Sequence, residues 1–261
     1  MQLDPDNTPK TARPASTVVL LREPSPGSDQ PFEVYFTRRP DHFTFVGGFH
    51  VFPGGAMDSA DSRPTTLARV RGLAAEKAHA ELTGCADPTT ALAHWVTAAR
   101  EVFEEAGVLL AVTAGGASVS EALVREILTT VPRSHEHHAA EAFLDQLDHH
   151  DLAIDARSIR YFAHWITPPG PPRRFDTRFF VARMPAGQTP VPHPTEVDGD
   201  TWLGPNAAIA RWEAGEFSLM PPSVFTLQQL ANFPSIDAVF SDPDLAADSE
   251  TRGNARLATA W

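Results

Sequence analysis

The amino-acid sequence predicts a mixed α/β (α+β) fold, with helices packed on a mixed β-sheet. Apolar patterns with the periods of strands and helices follow one another along the chain in the order strands, helices, strands, helices. The length of 261 residues suits one large domain or one domain with insertions. A hydrophobic content of 42% with 21% charged residues is ordinary for a globular protein.

The strands are predicted from runs rich in β-branched, aromatic or alternating apolar residues. The predicted strands are 16–22, 33–39, 159–166, 174–184 and 197–203. The first two are separated by a turn rich in Pro, Ser and Gly, so we expect them to pair as a hairpin. The glycine-punctuated segment 43–56 predicts a loop, a short strand and a second loop.

The helices are predicted from apolar residues that recur every three or four positions. The clearest is 90–106, because Gly107 stands where a helix C-terminal cap belongs. The other predicted helical regions are 62–90 (one helix and a loop), 118–150, 206–213 and 223–232.

Charge and composition exclude several classes of protein. The chain has 21 Lys and Arg against 33 Asp and Glu, and the resulting net charge of -12 argues against general binding of nucleic acid or anionic membranes. A single cysteine, Cys85, excludes a disulfide framework or a cysteine-based zinc site within one chain. Because no apolar run reaches about 20 residues and the polar N-terminus lacks the apolar core of a signal peptide, we expect a cytoplasmic location.

The segment from Arg100 to Val108 carries the main chemical signal. Glu101, Glu104 and Glu105 have helical i, i+3 and i+4 spacing, so they share one face of the predicted helix. Three carboxylates there repel one another and lie near the negative end of the helix dipole. A hard divalent cation would offset both penalties, whereas a solvated acidic face is the alternative interpretation.

The pattern Arg-Glu-apolar-x-Glu-Glu-x-Gly-apolar at 100–108 resembles the second half of the signature of the Nudix hydrolases. The residues Pro53, Gly54 and Gly55 match the start of that signature, and Asp61 stands where the signature has Glu. The 38 residues 62–99 replace a much shorter spacer. A coenzyme A-cleaving branch of the family is similar in carrying a large insertion here and a Gly-Gly-x-x-Asp-x-x-Asp pattern, which fits residues 54–61.

The resemblance implies a Nudix α/β/α sandwich with a mixed β-sheet and extra helical insertions. It places the Nudix domain at 16–235, with insertions at about 62–92 and 115–155, between a flexible tail at 1–15 and a second tail at 236–261. The helical insertions suit either packing within the chain or a homodimer interface.

The resemblance also implies roles for individual residues. The metal ligands for Mg²⁺ or Mn²⁺ would be Glu101, Glu104, Glu105 and the carbonyl of Gly55. Arg100 would orient the glutamates, and Asp61 would be the acid that pairs with this arginine. The general base varies within the family, and Glu101 and Glu196 are the two candidates.

Paired arginines are candidates for binding substrate phosphates, because a guanidinium binds phosphate in a bidentate manner. Arg173 and Arg174 begin a predicted strand, and Arg38 and Arg39 end another. The alternative is that both pairs are solvated surface arginines. Gly54 is a further candidate on the substrate side.

The predicted function is metal-dependent hydrolysis of a diphosphate linkage in a small nucleotide derivative. The resemblance favours coenzyme A or acyl-coenzyme A, with 3′,5′-ADP and (acyl-)phosphopantetheine as products. Hydrolysis of NADH, ADP-ribose or another dinucleotide is the first alternative, and a non-catalytic ligand-binding sensor is the second. For the histidines that cluster within 135–150, a polar surface is favoured over a metal site, because no His-Glu-x-x-His spacing occurs.

Overall fold

A computed structural model describes residues 11–43, 46–131, 139–169 and 173–246 of the chain. The strands are β1 (Arg13–Arg22), β2 (Glu33–Arg38), β3 (His50–Val51), β4 (Gly54–Ala56), β5 (Val70–Arg71), β6 (Ala111–Thr113), β7 (Leu152–Asp155), β8 (Ile159–Ile166), β9 (Phe175–Arg183) and β10 (Asp200–Leu203). The helices are α1 (Pro64–Leu67), α2 (Ala75–Glu81), α3 (Pro88–Ala106), α4 (Glu121–Thr130), α5 (Ala139–His149), α6 (Pro205–Glu213), α7 (Pro221–Leu230) and α8 (Ile236–Ser241). Two 3₁₀ turns cover Ser59–Ser62 and Ala156–Ser158.

A seven-stranded mixed sheet forms the middle of the fold. Its strand order is β10-β2-β1-β9-β8, with β3 paired to β2 and β4 paired to β1. The long β1 runs parallel to β9 and antiparallel to β2 and β4. The predicted hairpin of the first two strands is confirmed, since Leu21 pairs with Val34.

Helices cover both faces of this sheet. Val18 and Leu20 of β1 are buried in a cluster with residues of α3, whereas Val19 and Leu21 are buried in a second cluster with residues of α6, α7 and α8. The alternation follows from the two-residue period of a strand, which directs neighbouring side chains to opposite faces. The predicted α/β/α sandwich with a mixed sheet is therefore confirmed.

The segments between β4 and β8 differ in detail from the sequence prediction. Residues 62–90 hold two short helices, α1 and α2, and the strand β5 instead of one helix. β5, β7 and β6 form a separate three-stranded sheet that was not predicted. Each of these strands has only two to four residues, too few to show a period in the sequence. In the predicted helical region 118–150, α4 and α5 are described, but His135, His137 and His138 lie outside the described residues.

Regular secondary structure reaches into both segments that were predicted as tails, 1–15 and 236–261. β1 begins at Arg13, and its first residues pair with β9. The predicted C-terminal tail is wrong at its start, because α8 occupies Ile236–Ser241 and buries Ile236 and Val239 against the sheet. A six-residue helix offers only one turn and a half of apolar periodicity, which is too short a signal to separate it from a polar tail.

Helix α3 positions the site and has well-defined ends. The Asp87 side chain accepts a hydrogen bond from the Thr90 amide at 2.9 Å, which caps the first turn. At the other end Gly107 adopts a left-handed conformation with φ 64°, and its amide donates to the Phe103 carbonyl. The prediction that this helix ends at Gly107 is confirmed.

Within the described ranges, no helix combines the length and the apolar character that crossing a membrane would require.

Candidate metal centre and active site

The acidic face of α3 is buried. The exposed fractions of Glu101, Glu104 and Glu105 are 2%, 4% and 4%, and that of Arg100 is 4%. The alternative of a solvated acidic face is therefore wrong. Carboxylates are rarely this buried unless they are paired or bind a metal, so the arrangement of their partners determines what this face can do.

Arg100 lies at the centre of the cluster and connects three acids. Its Nη1 donates to Glu101 at 2.8 Å and to Glu104 at 3.1 Å. Its Nε and Nη2 donate to the two carboxylate oxygens of Asp61, both at 2.9 Å. The Nη2 group also donates to the Ala56 carbonyl at 3.0 Å. The guanidinium thus fixes the orientation of two glutamates relative to the glycine-containing strand β4.

Asp61 reaches this position from the 3₁₀ turn that follows β4. The turn has a capping box, in which Asp58 accepts from the Ala60 amide and the Asp58 amide donates to Asp61. The Thr97 hydroxyl donates to Asp61 at 2.8 Å, and the Asp61 side chain is fully buried. The long insertion therefore leaves the ion pair between Asp61 and Arg100 intact, since it loops out after Asp61.

The two glycines of β4 lie directly against the acidic face. The Gly54 amide donates to Glu105 at 3.2 Å. A β-carbon at Gly55 would lie 2.5 Å from a carboxylate oxygen of Glu101. One at Gly54 would lie 2.5 Å from the Ser16 carbonyl oxygen. Only glycine allows β4 to approach both β1 and α3 this closely.

Burial strongly perturbs the acids. Desolvation is the main cause that raises the pKa of Glu104 to about 8, with the positive charge of Arg100 acting in the opposite direction. Desolvation also raises the pKa of Glu105 well above its ordinary value, and the charge on Glu101 adds to this effect. Without a cation Glu104 therefore holds a proton near neutral pH, and a bound cation would displace it.

The donor set fits a hard divalent cation, although the side chains are not gathered around one point. Among the described residues, no three Asp, Glu, His or Cys side chains are arranged as the ligands of a metal ion. Two of the three glutamates, Glu101 and Glu104, instead face the Arg100 guanidinium. Three buried carboxyl groups beside a glycine strand nevertheless supply the all-oxygen chemistry that Mg²⁺ and Mn²⁺ prefer.

Glu196 lies within electrostatic range of the acidic face. Its negative charge raises the pKa of Glu105, whereas the positive charge of Arg39 lowers it. The loop that carries Glu196 is joined to the end of α3, because the amides of Val191 and His193 donate to the Ala106 and Glu105 carbonyls at 2.7 and 2.9 Å. The backbone of this loop is thus fixed to the end of α3, and the charge of Glu196 acts on Glu105.

The four predicted phosphate-binding arginines lie in different surroundings. The positive charge of Arg39 lowers the pKa of Glu105. The Arg39 guanidinium lies 5.0 Å from the ring centre of Phe43. Arg38 forms ion pairs with Asp41 and Asp198, each at 2.6 Å. Arg173 is exposed, and Arg174 donates its Nε to the Thr167 carbonyl at 3.0 Å. The latter two precede β9, which is separated from β4 by β1.

The sequence interpretation missed two residues of this site, Thr97 and His193. Thr97 lies one helical turn before Arg100, so the i, i+3 spacing could have indicated it. His193 is buried in the loop beside Glu105, and no local sequence pattern identifies it.

Comparisons with known proteins agree with this architecture. The family model described as the NUDT19 Nudix domain matches residues 12–230. The human acyl-coenzyme A diphosphatase NUDT19 is 29% identical over 255 residues, which cover 87% of this chain and 66% of the human protein. The chicken protein of the same name is 28% identical and is covered to 69%. The chain thus spans about two thirds of the length of these relatives.

A solved structure supports the same assignment. The crystal structure of a Nudix hydrolase from Alicyclobacillus acidocaldarius superimposes with a TM-score of 0.67 at 27% identity, and the match covers 89% of this chain and 96% of that one. The resemblance found in the signature at residues 100–108 is confirmed by a family model that covers most of the chain. This protein belongs to the Nudix hydrolase family.

Proposed function

We propose that this protein is a Nudix diphosphatase that hydrolyses the diphosphate linkage of coenzyme A or acyl-coenzyme A. The products would be 3′,5′-ADP and phosphopantetheine or its acyl derivative. The reaction class is supported above all by the buried carboxyl groups of α3, which Arg100 and Asp61 hold against the glycine strand. The substrate class is supported by relatives named acyl-coenzyme A diphosphatases.

The proposed reaction uses a divalent metal ion, as Nudix hydrolases generally do, and Mg²⁺ or Mn²⁺ suits the oxygen donors here. When bound, such an ion neutralises charge on the diphosphate and makes a bound water easier to deprotonate. Glu101, Glu104, Glu105 and the Gly55 carbonyl are the groups that would hold it. Arg100 keeps the glutamates oriented, and the ion pair with Asp61 keeps Arg100 in place.

A carboxylate of this chain would accept the proton of the attacking water. Glu101 and Glu196 are the candidates for this general base. Glu196 is attractive because it lies on a loop joined to the end of α3, within electrostatic range of Glu105. A base on a separate element would leave all three helix carboxylates available to the metal.

Among the arginines, Arg39 is the strongest candidate for binding the diphosphate. The positive charge of Arg39 lowers the pKa of Glu105, on which the charge of Glu196 acts in the opposite direction. The charge of Arg38 is already matched by two aspartates. Arg173 and Arg174 would contribute only to the binding of a substrate that extends across β1. The backbone of Gly54 would contact the diphosphate.

A hydrolysis panel tests the proposal. Coenzyme A, acetyl- and longer acyl-coenzyme A, NADH and ADP-ribose would be incubated with and without Mg²⁺ or Mn²⁺, and the products resolved by chromatography. Metal-dependent release of 3′,5′-ADP that is lost in Glu104→Gln is the expected result. AMP released from NADH or ADP-ribose instead would reject the coenzyme A assignment and keep the reaction class. Nucleotide binding with no product from any substrate would favour a non-catalytic sensor.

The cytoplasmic location and the homodimer remain predictions. Gel filtration with light scattering would test the dimer, and imaging of a tagged chain in its native cell would test the location.

A further inference from the structure

The loop that carries Glu196 is attached to α3 through backbone groups that a helix end leaves without partners. The last carbonyls of a helix have no intrahelical partner. Here the Ala106 and Glu105 carbonyls accept the amides of Val191 and His193. The backbone of the loop is therefore anchored to α3 at Val191 and at His193, which lies three residues before Glu196.

Beyond His193 the loop is held by the imidazole ring itself. The His193 Nδ1 accepts the Glu196 amide at 3.1 Å and the Thr195 amide at 3.3 Å. The Val197 amide donates to the His193 carbonyl at 3.2 Å, which closes one helical turn. The ring nitrogen Nδ1 thus serves as the common acceptor for both amides.

This arrangement has the geometry of a helix N-cap. A capping side chain accepts the amides two and three residues ahead, and Asn, Asp and Ser normally perform this task. His193 does so with a ring that is only 5% exposed, so the packing around it also fixes the direction of the loop. The backbone of Glu196 is thereby tied to the helix that carries the metal-binding candidates.

We propose that His193 is a positioning residue, whose Nδ1 holds the Glu196 backbone in a fixed position relative to the end of α3 and so places the Glu196 carboxylate for its role as general base. His193 contacts neither substrate nor metal in this proposal and acts only through Glu196. The inference rests on the proposed function, because it assigns Glu196 to the reacting side of the diphosphatase site.

A double-mutant cycle with two replacements of His193 tests the proposal. His193→Leu removes the acceptor, whereas His193→Asn retains one at the position that an N-capping asparagine uses. With coenzyme A as substrate, we expect His193→Leu to lower kcat about tenfold or more and to leave KM within about twofold. His193→Asn should restore kcat to within about threefold of wild type. In a Glu196→Gln background, His193→Leu should have no further effect on kcat, because its target is already gone.

His79→Leu is the matched control. His79 is a partly buried histidine on α2 whose ring also forms a hydrogen bond with a backbone group, the Cys85 carbonyl, at 3.0 Å. The substitution His79→Leu should leave kcat unchanged. An unaltered kcat in His193→Leu would overturn the proposal. So would an equal loss in His193→Asn, or an undiminished effect of His193→Leu in the Glu196→Gln background.

Hydrogen exchange separates this inference from the proposed function. The Glu196 amide should exchange slowly in wild type and His193→Asn, and faster in His193→Leu, whatever substrate the protein hydrolyses. Unchanged exchange in His193→Leu refutes the positioning role. Absence of coenzyme A hydrolysis in the wild type refutes the proposed function instead, and the altered exchange would still report the hydrogen bond.

Discussion

Replacement of Asp61 by asparagine removes the acid that holds Arg100. The Asp61 carboxylate is fully buried and accepts from Arg100 Nε, Arg100 Nη2, the Thr97 hydroxyl and the Asp58 amide, at 2.8–3.0 Å. Asparagine has the same shape but turns one acceptor into a donor, which would face groups that also donate. It also leaves a buried guanidinium without its bidentate partner.

The expected loss is large because the pair is buried. Removing one partner of a buried ion pair costs about 3–5 kcal/mol of the free energy of unfolding. Asp198→Asn is the matched control, since Asp198 also pairs with an arginine, Arg38 at 2.6 Å, but its side chain is 64% exposed. An exposed pair is screened by water and contributes about 0–1 kcal/mol. The two variants thus make the same chemical change at opposite extremes of burial.

Urea unfolding in the presence of a metal chelator at neutral pH measures both effects. We expect the Asp61→Asn midpoint to fall far below that of Asp198→Asn, with similar slopes against urea. A difference between the two variants of less than about 1 kcal/mol would refute the assignment of Asp61 as the buried partner of Arg100.

Three other predictions follow from the buried carboxyl groups and the packing of the sheet. Because folding raises the pKa of Glu104 from 4.5 to about 8, the folded protein holds a proton that the unfolded chain releases between these values. The free energy of unfolding without metal, measured in urea, should therefore fall as the pH rises through this window, and Glu104→Gln should reduce this dependence on pH. Gly55→Ala should weaken Mg²⁺ binding in calorimetry by about tenfold or more, because the added carbon would lie 2.5 Å from the Glu101 carboxylate. Gly115→Ala is the control and should have no effect on binding, because its added carbon would lie 3.8 Å from Thr113 Oγ1, an ordinary contact. Val239→Ala on α8 should cost about 2 kcal/mol in urea unfolding, since Val239 is fully buried; a loss near zero would show that α8 does not belong to the core.

The core of the site could be predicted from the sequence because its signals are local. The apolar period of residues 90–106, the cap at Gly107 and the spacing of three glutamates all lie within one helix. The pairing of Asp61 with Arg100 could be suggested only by resemblance, since residues 62–99 separate the two.

Other features depend on contacts that no local pattern reveals. The burial of the glutamates arises from the close approach of β4, which pairs with the distant β1. Glu196 was a candidate from its place in the sequence, but its link to α3 depends on backbone bonds made by Val191 and His193. The strands β5, β6 and β7 and the helix α8 are too short to show a period, and tertiary packing decides their conformation.

Mn²⁺ binding, followed by the electron paramagnetic resonance signal of the free ion, tests most directly whether the buried carboxyl groups of α3 form a cation site. We expect the wild-type protein and Asp198→Asn to bind Mn²⁺, and Glu104→Gln and Glu105→Gln to lose this binding while remaining folded. Affinity should also rise as the pH increases toward about 8, because Glu104, whose pKa is about 8, then releases its proton. Mn²⁺ binding that survives both glutamine substitutions, with no dependence on pH, would contradict the assignment of these glutamates as the metal centre.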